Sequence, residues 1–254
     1  MEIIAHRGVH NGAIWENTIT AFEKAVKLDC RWMELDCCLT KDNILVVTHG
    51  GWAIAQDRVI FIKDRTLEEL VTLGVVADSM ERCGKPERQM PTLELVLRNF
   101  IRRIRINIEL KNKGSASVLY GTLRKMLEEE PLLWPWFKYR LIVSSFICEE
   151  AADFKKLYPD IETAISWDGL NFSRRLKMLS LACTMSKFNI EGIQINHRIA
   201  DKEIVPFFKN RGYKVRVYTV NDGRLIPALL NLGVDGIFTD RVEFMRRQLA
   251  EMQK

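Results

Sequence analysis

A chain of 254 residues that is 47% hydrophobic and 28% charged has the make-up of a soluble globular protein. It carries no apolar run of about 18 residues, so no membrane-spanning helix is predicted. A net charge of +5 is too mild to point to nucleic acid and suits an anionic small molecule.

The elements follow from apolar runs and their periodicity. Strands are predicted at residues 2–7, 31–37, 104–111, 140–146, 161–167, 191–196, 214–220 and 235–240. Helices are predicted between most of them, at 17–28, 92–101, 115–129, 149–157, 174–187, 201–211 and 223–233, with a last one at 241–254. Eight strand–helix units in about 250 residues is the arithmetic of a (β/α)8 TIM barrel of class α/β. The alternative for the same order is a doubly wound open sheet. One connection is long: between the second strand and the helix at 92 lie the apolar run NILVVTHGG and a helix-like TLEELVTLG. Long loops in compact domains are usually functional. We therefore expect one domain over 1–254, with an elaborated loop and a short insertion at about 50–90 after strand 2. The basic cluster Arg102-Arg103-Ile104-Arg105 fits a solvated helix C-terminus.

Polar residues gather where a barrel does chemistry, at the C-terminal ends of its strands. The first strand ends in His6 and Arg7, the second carries Glu34 and Asp36, and the third carries Asn107, Glu109 and Lys111. Ser144 and Ser145, Gln194, Asn196 and His197, Tyr218, Thr219 and Asn221, and Thr239 and Asp240 end later strands. Strand side chains alternate between faces. Glu34 and Asp36 share one face, Asn107, Glu109 and Lys111 share another, and the apolar residues between them should face the helices. Carboxylates pointing into a barrel mouth are costly unless paired or bound to a cation. Glu34, Asp36 and Glu109 thus form a candidate site for a hard divalent ion, Mg²⁺ or Ca²⁺. The competing reading is a carboxylate–lysine network around Lys111. His6 and His49 each end an apolar run and flank the acidic strand, which suggests an acid–base pair. His10 and His197 read as loop residues.

Together these residues resemble the glycerophosphodiester phosphodiesterase family of TIM barrels. The resemblance is carried by AHRG at 5–8, WENT at 15–18, ELD at 34–36, VVTH at 46–49, PTLE at 91–94, IELK at 108–111, VSSF at 143–146, VYTVN at 217–221 and GVDGIFTD at 233–240. It implies metal-dependent hydrolysis of a glycerophosphodiester to glycerol 3-phosphate and an alcohol, a hydrolase of lipid and glycerol metabolism. By the same resemblance Glu34, Asp36 and Glu109 would hold the metal, and His6 and His49 would be acid and base. Arg7 and Lys111 would contact the phosphate, Glu16 would orient these groups, and Tyr218 would touch substrate. Gly8 is expected to permit a tight turn beside the anion.

Three departures stand out. The family's usual His-Asp pair is His49-Gly50, the Arg-Thr-Thr element after it is missing, and Tyr218 replaces a usual tryptophan. The missing acid predicts a less firmly oriented His49. Two other readings remain. One is a lysophospholipase D or sphingomyelinase-D-like enzyme, which needs an apolar groove that Trp15, Trp52, Ile54 and Phe61 could supply. The other is a non-catalytic binding barrel, which the retention of both histidines, all three acids, Arg7 and Lys111 disfavours. The expected partner is a small molecule, without nucleic acid or membrane span, and a homo-oligomer is compatible with this. Glu2 and the short apolar run before His6 do not read as a secretory leader. A cytoplasmic protein is expected, with its six cysteines reduced and none in a Cys-x-x-Cys pair.

Overall fold

The computed structural model describes residues 1–55, 57–81, 83–169 and 174–252. The chain opens with β1 (Glu2–Ala5), α1 (Ile19–Lys27) and β2 (Trp32–Leu39). An excursion follows: β3 (Leu45–Val47), β4 (Trp52–Ala55), β5 (Arg58–Phe61), α2 (Leu67–Thr72), β6 (Val76–Ala77) and β7 (Met90–Pro91). After α3 (Leu93–Phe100) come β8 (Arg105–Leu110), α4 (Ser115–Glu129), α5 (Trp134–Arg140), β9 (Leu141–Ser145), α6 (Cys148–Leu157) and β10 (Glu162–Trp167). The chain then runs through α7 (Arg174–Phe188), β11 (Gly192–Asn196), α8 (Ile204–Lys209), β12 (Lys214–Tyr218), α9 (Ile226–Asn231), β13 (Gly236–Thr239) and α10 (Val242–Glu251).

Strands β1, β2, β8, β9, β10, β11, β12 and β13 pair in that order, all parallel, and β1 pairs with both β2 and β13. The sheet is therefore a closed barrel, as expected, and the open doubly wound alternative is excluded. Its strands carry apolar residues on the face that the helices cover, while inward positions of several are polar, as at Glu34, Asp36, Asn107, Glu109 and Gln194. Met33, Leu35 and Cys37 of β2 and Ile106, Ile108 and Leu110 of β8 pack outward, in one cluster with Phe22, Leu93 and Phe100 of the helices. A second cluster does the same for β10 to β13. Within the barrel, Ile4, Trp32, Ile142, Ala164 and Phe238 form an apolar floor. Above it sits a buried polar layer: Gln194 Nε2 donates to Asn107 Oδ1 at 2.7 Å, and Asn107 Nδ2 donates to Ser144 Oγ at 3.2 Å. This layer plugs the barrel and leaves the next inward positions, Asp36 and Glu109, cross-strand partners in register, to line the mouth.

The structure departs from expectation at element ends and in the excursion. β1 stops at Ala5, so His6 and Arg7 lie just beyond it. NILVVTHGG yields a strand antiparallel to β2, with Cys37 opposite Val47. The β4–β5 hairpin was not anticipated, because its outer face is apolar and its sequence lacks alternation. Its inner residues Ala53 and Ala55 pack with Ile62, Leu70, Val75 and Val76. Helix α5, WPWFKYR, was also missed. Its proline falls in the first turn, where no backbone donor is lost. Among the described residues no helix is long and apolar enough to cross a membrane.

Candidate active site

The C-terminal ends of the strands surround a cavity of about 350 Å³ lined by His6, Arg7, Glu34, Asp36, His49, Glu109, Lys111 and Tyr218. Eight of the nine predicted site residues thus line one space. The ninth, Glu16, reaches it through Arg7.

The first segment supplies two of these groups by turning sharply after Ala5, where Gly8 N–H returns to Ala5 O. Arg7 and Gly8 both have positive φ, 57° and 79°. A Cβ on Gly8 would lie 2.8 Å from the Ala21 carbonyl carbon of α1, so glycine is required by close helix approach as well as by the turn. Arg7 is held from every side. Its backbone N–H donates to Glu34 Oε2 at 2.9 Å, its Nη1 donates to both Glu16 oxygens at 2.8 and 2.9 Å, and its Nε lies 3.0 Å from Asp36 Oδ2. Burial would lower its pKa, but Asp36, Glu16 and Glu34 together raise it.

His6 is fixed by a residue that the sequence reading assigned no role. Asp240, one step past β13, accepts from His6 Nδ1 at 2.7 Å, and His6 Nε2 then lies 4.0 Å from Glu34 Oε2. Asn221 Nδ2 donates to the other oxygen of Asp240 at 2.6 Å, while Asn221 Oδ1 accepts from Thr239 Oγ1 and the Asp240 N–H, each at 2.9 Å. His10 also meets Asp240, 3.4 Å from Nε2 to Oδ1. Burial pushes Asp240 up, but hydrogen bonds to His10 and His6 outweigh it and hold the carboxyl well below the usual range.

Glu34, Asp36 and Glu109 offer oxygens that all lie within 4.8 Å of one another. Burial, with Asp36 and Glu109 alongside, pushes Glu34 well above the usual carboxylate range. Burial also drives Glu109 up to about 7, against the pull of Lys111 and with Asp36 adding. Asp36 goes the other way: burial would raise it, but Lys111 and Arg7 hold it down, and Asn17 Nδ2 donates to it at 3.0 Å. The Lys111 ammonium bridges Glu109 and Asp36, 2.8 Å from Asp36 Oδ1. Both readings of these acids thus meet in one place, a carboxylate triad and a lysine network. Fully ionised, three carboxylates against Arg7 and Lys111 leave one negative charge in excess. A compact all-oxygen donor set of that charge fits a hard divalent cation.

His49 follows β3, and the Thr48 N–H bonds to Asp36 O at 2.9 Å, tying this loop to β2. Its side chain reaches solvent, and among the described residues no hydrogen bond to its ring is present. Loss of solvation at the cavity wall lowers its pKa; Asp36 opposes this, and Arg7 and Lys111 add to it. A Cβ on Gly50 would fall 2.6 Å from Trp52 Nε1, so an aspartate at this position would displace the indole. Tyr218 ends β12 with its hydroxyl buried and, among the described residues, without a hydrogen-bond partner, its ring edge-on to Phe146 at 5.8 Å. Burial raises its pKa. Arg198, Asn196 and His197, from the segment at and after β11, complete the wall. Of these, Arg198 had no signal beyond its place after a strand.

The sequence profile of the glycerophosphoryl diester phosphodiesterase family matches residues 6–244. The chain belongs to that family. Among relatives, YhdW of Bacillus subtilis strain 168 is 34% identical over 250 residues, 96% of each chain. A glycerophosphodiester phosphodiesterase of Bacillus altitudinis is 33% identical over 242 residues, 94% of each chain. In three dimensions the chain is similar to an Oleispira antarctica phosphodiesterase solved with the product sn-glycerol-3-phosphate. The TM-score is 0.77 and the identity 24%, and 98% of this chain and 97% of that one are covered.

Proposed function

We propose that the chain hydrolyses glycerophosphodiesters to glycerol 3-phosphate and an alcohol, with a divalent cation, Mg²⁺ or Ca²⁺, held by Glu34, Asp36 and Glu109. The observation that carries this reading is the Asp240–His6 pair beside Arg7 and the carboxylate triad in one cavity. The bound cation would supply charge neutralisation at the phosphoryl oxygens. The chain's own residues do the rest.

Arg7 and Lys111 offer fixed positive charge to the phosphodiester, in a site where neither has to reorganise as charge develops. Glu16 holds the guanidinium in place through two hydrogen bonds. Asp240 accepts the Nδ1 proton of His6, so Nε2 carries the free lone pair on the Glu34 side. His6 then takes a proton from the attacking group, either water directly or the glycerol hydroxyl whose cyclic phosphate water afterwards opens, and Asp240 stabilises the imidazolium that forms. His49, which lines the same cavity, gives a proton to the leaving alcohol. Tyr218 borders the substrate on the β12 side. Residues 1–254 act as one catalytic unit in this reading, the excursion after β2 included.

The test is a coupled glycerol-3-phosphate assay over a panel of glycerophosphodiesters, with Mg²⁺, Ca²⁺ and EDTA arms. Release of glycerol 3-phosphate from at least one of them, abolished by EDTA, is expected. Silence across the panel in all metal arms would favour a non-catalytic barrel.

A further inference from the structure

The cavity wall divides into two halves of different chemistry. The half built on β1, β2 and β8 holds the acids and two cations, and both cations are paired there: Arg7 with Glu16 and Asp36, and Lys111 with Asp36 and Glu109. The half built on β9, β11, β12 and the turns after them supplies Phe146, Gln194, Asn196, Arg198 and Tyr218. In the closed ring β11 stands across the barrel from β2. Among the described residues no carboxylate lines this second half. Asp168, which follows β10, acts on the Tyr218 hydroxyl but does not line the cavity. Arg198 is therefore the one cation on a wall of neutral and aromatic groups.

The backbone of Arg198 is fixed and its side chain is uncommitted. Its N–H donates to Asn196 Oδ1 at 3.0 Å, and the next carbonyl, Ile199 O, accepts from Arg174 Nη2 at 3.2 Å. The neighbouring arginines are spent on acids, Arg174 on Asp201 and Arg175 on Glu203. The Arg198 guanidinium has neither an ion pair nor a hydrogen bond among the described residues, and none of the remaining residues of the chain is acidic. Exposure then says which part of a substrate it meets. The lining residues that are exposed are His49, Phe146 and Arg198, whereas Glu34, Asp36 and Gln194 are buried. These three mark the rim of the cavity. In the phosphodiesterase reading His49 protonates the leaving alcohol, so the alcohol departs at this rim, where Arg198 is the one fixed charge.

We propose that Arg198 is a specificity-determining residue: it binds an oxyanion carried by the leaving alcohol, so that the enzyme prefers diesters of acidic alcohols. The planar guanidinium matches a carboxylate or a phosphoryl group with two parallel N–H bonds. A purely cationic alcohol meets no acid on this half of the wall and faces Arg198 as a like charge. The inference rests on the phosphodiesterase reading for the orientation of the substrate, and the preference is measured as a ratio that overall activity does not enter.

The experiment compares kcat/KM for matched diesters that differ by one oxyanion. Glycerophosphoserine against glycerophosphoethanolamine reads a carboxylate, and glycerophosphoinositol 4-phosphate against glycerophosphoinositol reads a phosphoryl group. Wild type should prefer the acidic member of at least one pair by about tenfold, the scale of one hydrogen bond between charged groups, and the pair that shows it identifies the anion. Arg198→Gln should bring that ratio to within about twofold of unity, and Arg198→Glu should push it below unity. A purely structural role would lower both members alike and leave the ratio where it was. The proposal is overturned if wild type shows no preference in either pair, or if the preference survives Arg198→Gln. Should none of the four diesters be cleaved, the phosphodiesterase reading fails, and calorimetric binding of the same compounds to wild type and Arg198→Gln decides the proposal by the same ratios.

Discussion

Asp240→Asn is the sharpest perturbation of the site because the surrounding hydrogen bonds dictate how the amide must sit. Asn221 Nδ2 donates to Asp240 Oδ2 at 2.6 Å and cannot be turned, since Asn221 Oδ1 is engaged by Thr239 Oγ1 and by the Asp240 N–H. An asparagine at 240 would therefore point its oxygen at Asn221 and its NH2 at His6. Nδ1 of His6 would become the acceptor and Nε2 would carry the hydrogen, the wrong tautomer for a base. Loss of general-base catalysis costs about 10²–10⁴-fold, which is about 3–5 kcal/mol of barrier. The fall should appear in kcat, with KM within about threefold of wild type, because Arg7 and Lys111 still hold the phosphate. The assay is steady-state release of glycerol 3-phosphate from glycerophosphocholine across pH. A variant whose kcat stays within about threefold of wild type would refute the assignment of His6 as base and of Asp240 as its positioning partner.

Four further outcomes follow from the same geometry. Glu34→Gln should abolish divalent-cation binding by calorimetry while keeping the fold, and wild-type affinity in that variant would remove the triad as the metal site. Lys111→Ala should lower kcat by about 10²-fold or more, the scale for one preorganised charge; a change in KM alone would make it a ground-state contact. His6→Ala and His49→Ala should each impair kcat severely, and the double variant should be little worse than either, as for groups acting as one unit; near-normal His49→Ala would leave His6 alone. In EDTA, stability should fall as pH rises from about 4.5 to about 7. In that window the unfolded chain has released the Glu109 proton and the folded chain, with Glu109 at about 7, still holds it, so the slope is negative; Glu109→Gln should flatten the urea-denaturation profile there.

The barrel was legible because eight strand-like runs alternate with helical segments in about 250 residues, and the period-two alternation of β2 and β8 let faces be assigned without coordinates. The same parity gathered Glu34, Asp36, Glu109 and Lys111. His6 was recognised, but Asp240 received no role, since 234 residues separate the two and only ring closure between β1 and β13 brings them together. Parity from the buried Phe238 points Asp240 inward, a signal available once the barrel is granted. The contact of His10 with Asp240 was hidden for the same reason. The excursion resisted reading because β4 buries only alanines on one face while both β4 and β5 expose large apolar residues on the other, the reverse of the usual amphipathic rule. The role of Gly50 also needed coordinates. The residue reads as the loss of an expected acid, but in space it makes room for the Trp52 indole.

The central claim is that this carboxylate- and histidine-lined cavity cleaves a glycerophosphodiester to glycerol 3-phosphate. Phosphorus NMR of glycerophosphocholine incubated with wild type or Glu34→Gln, with Mg²⁺ or Ca²⁺ present, tests it most directly. The account predicts conversion of the diester resonance to that of glycerol 3-phosphate by wild type, quenched by EDTA, and no conversion by Glu34→Gln. Equal conversion by the variant, or wild-type conversion that EDTA leaves untouched, would contradict it.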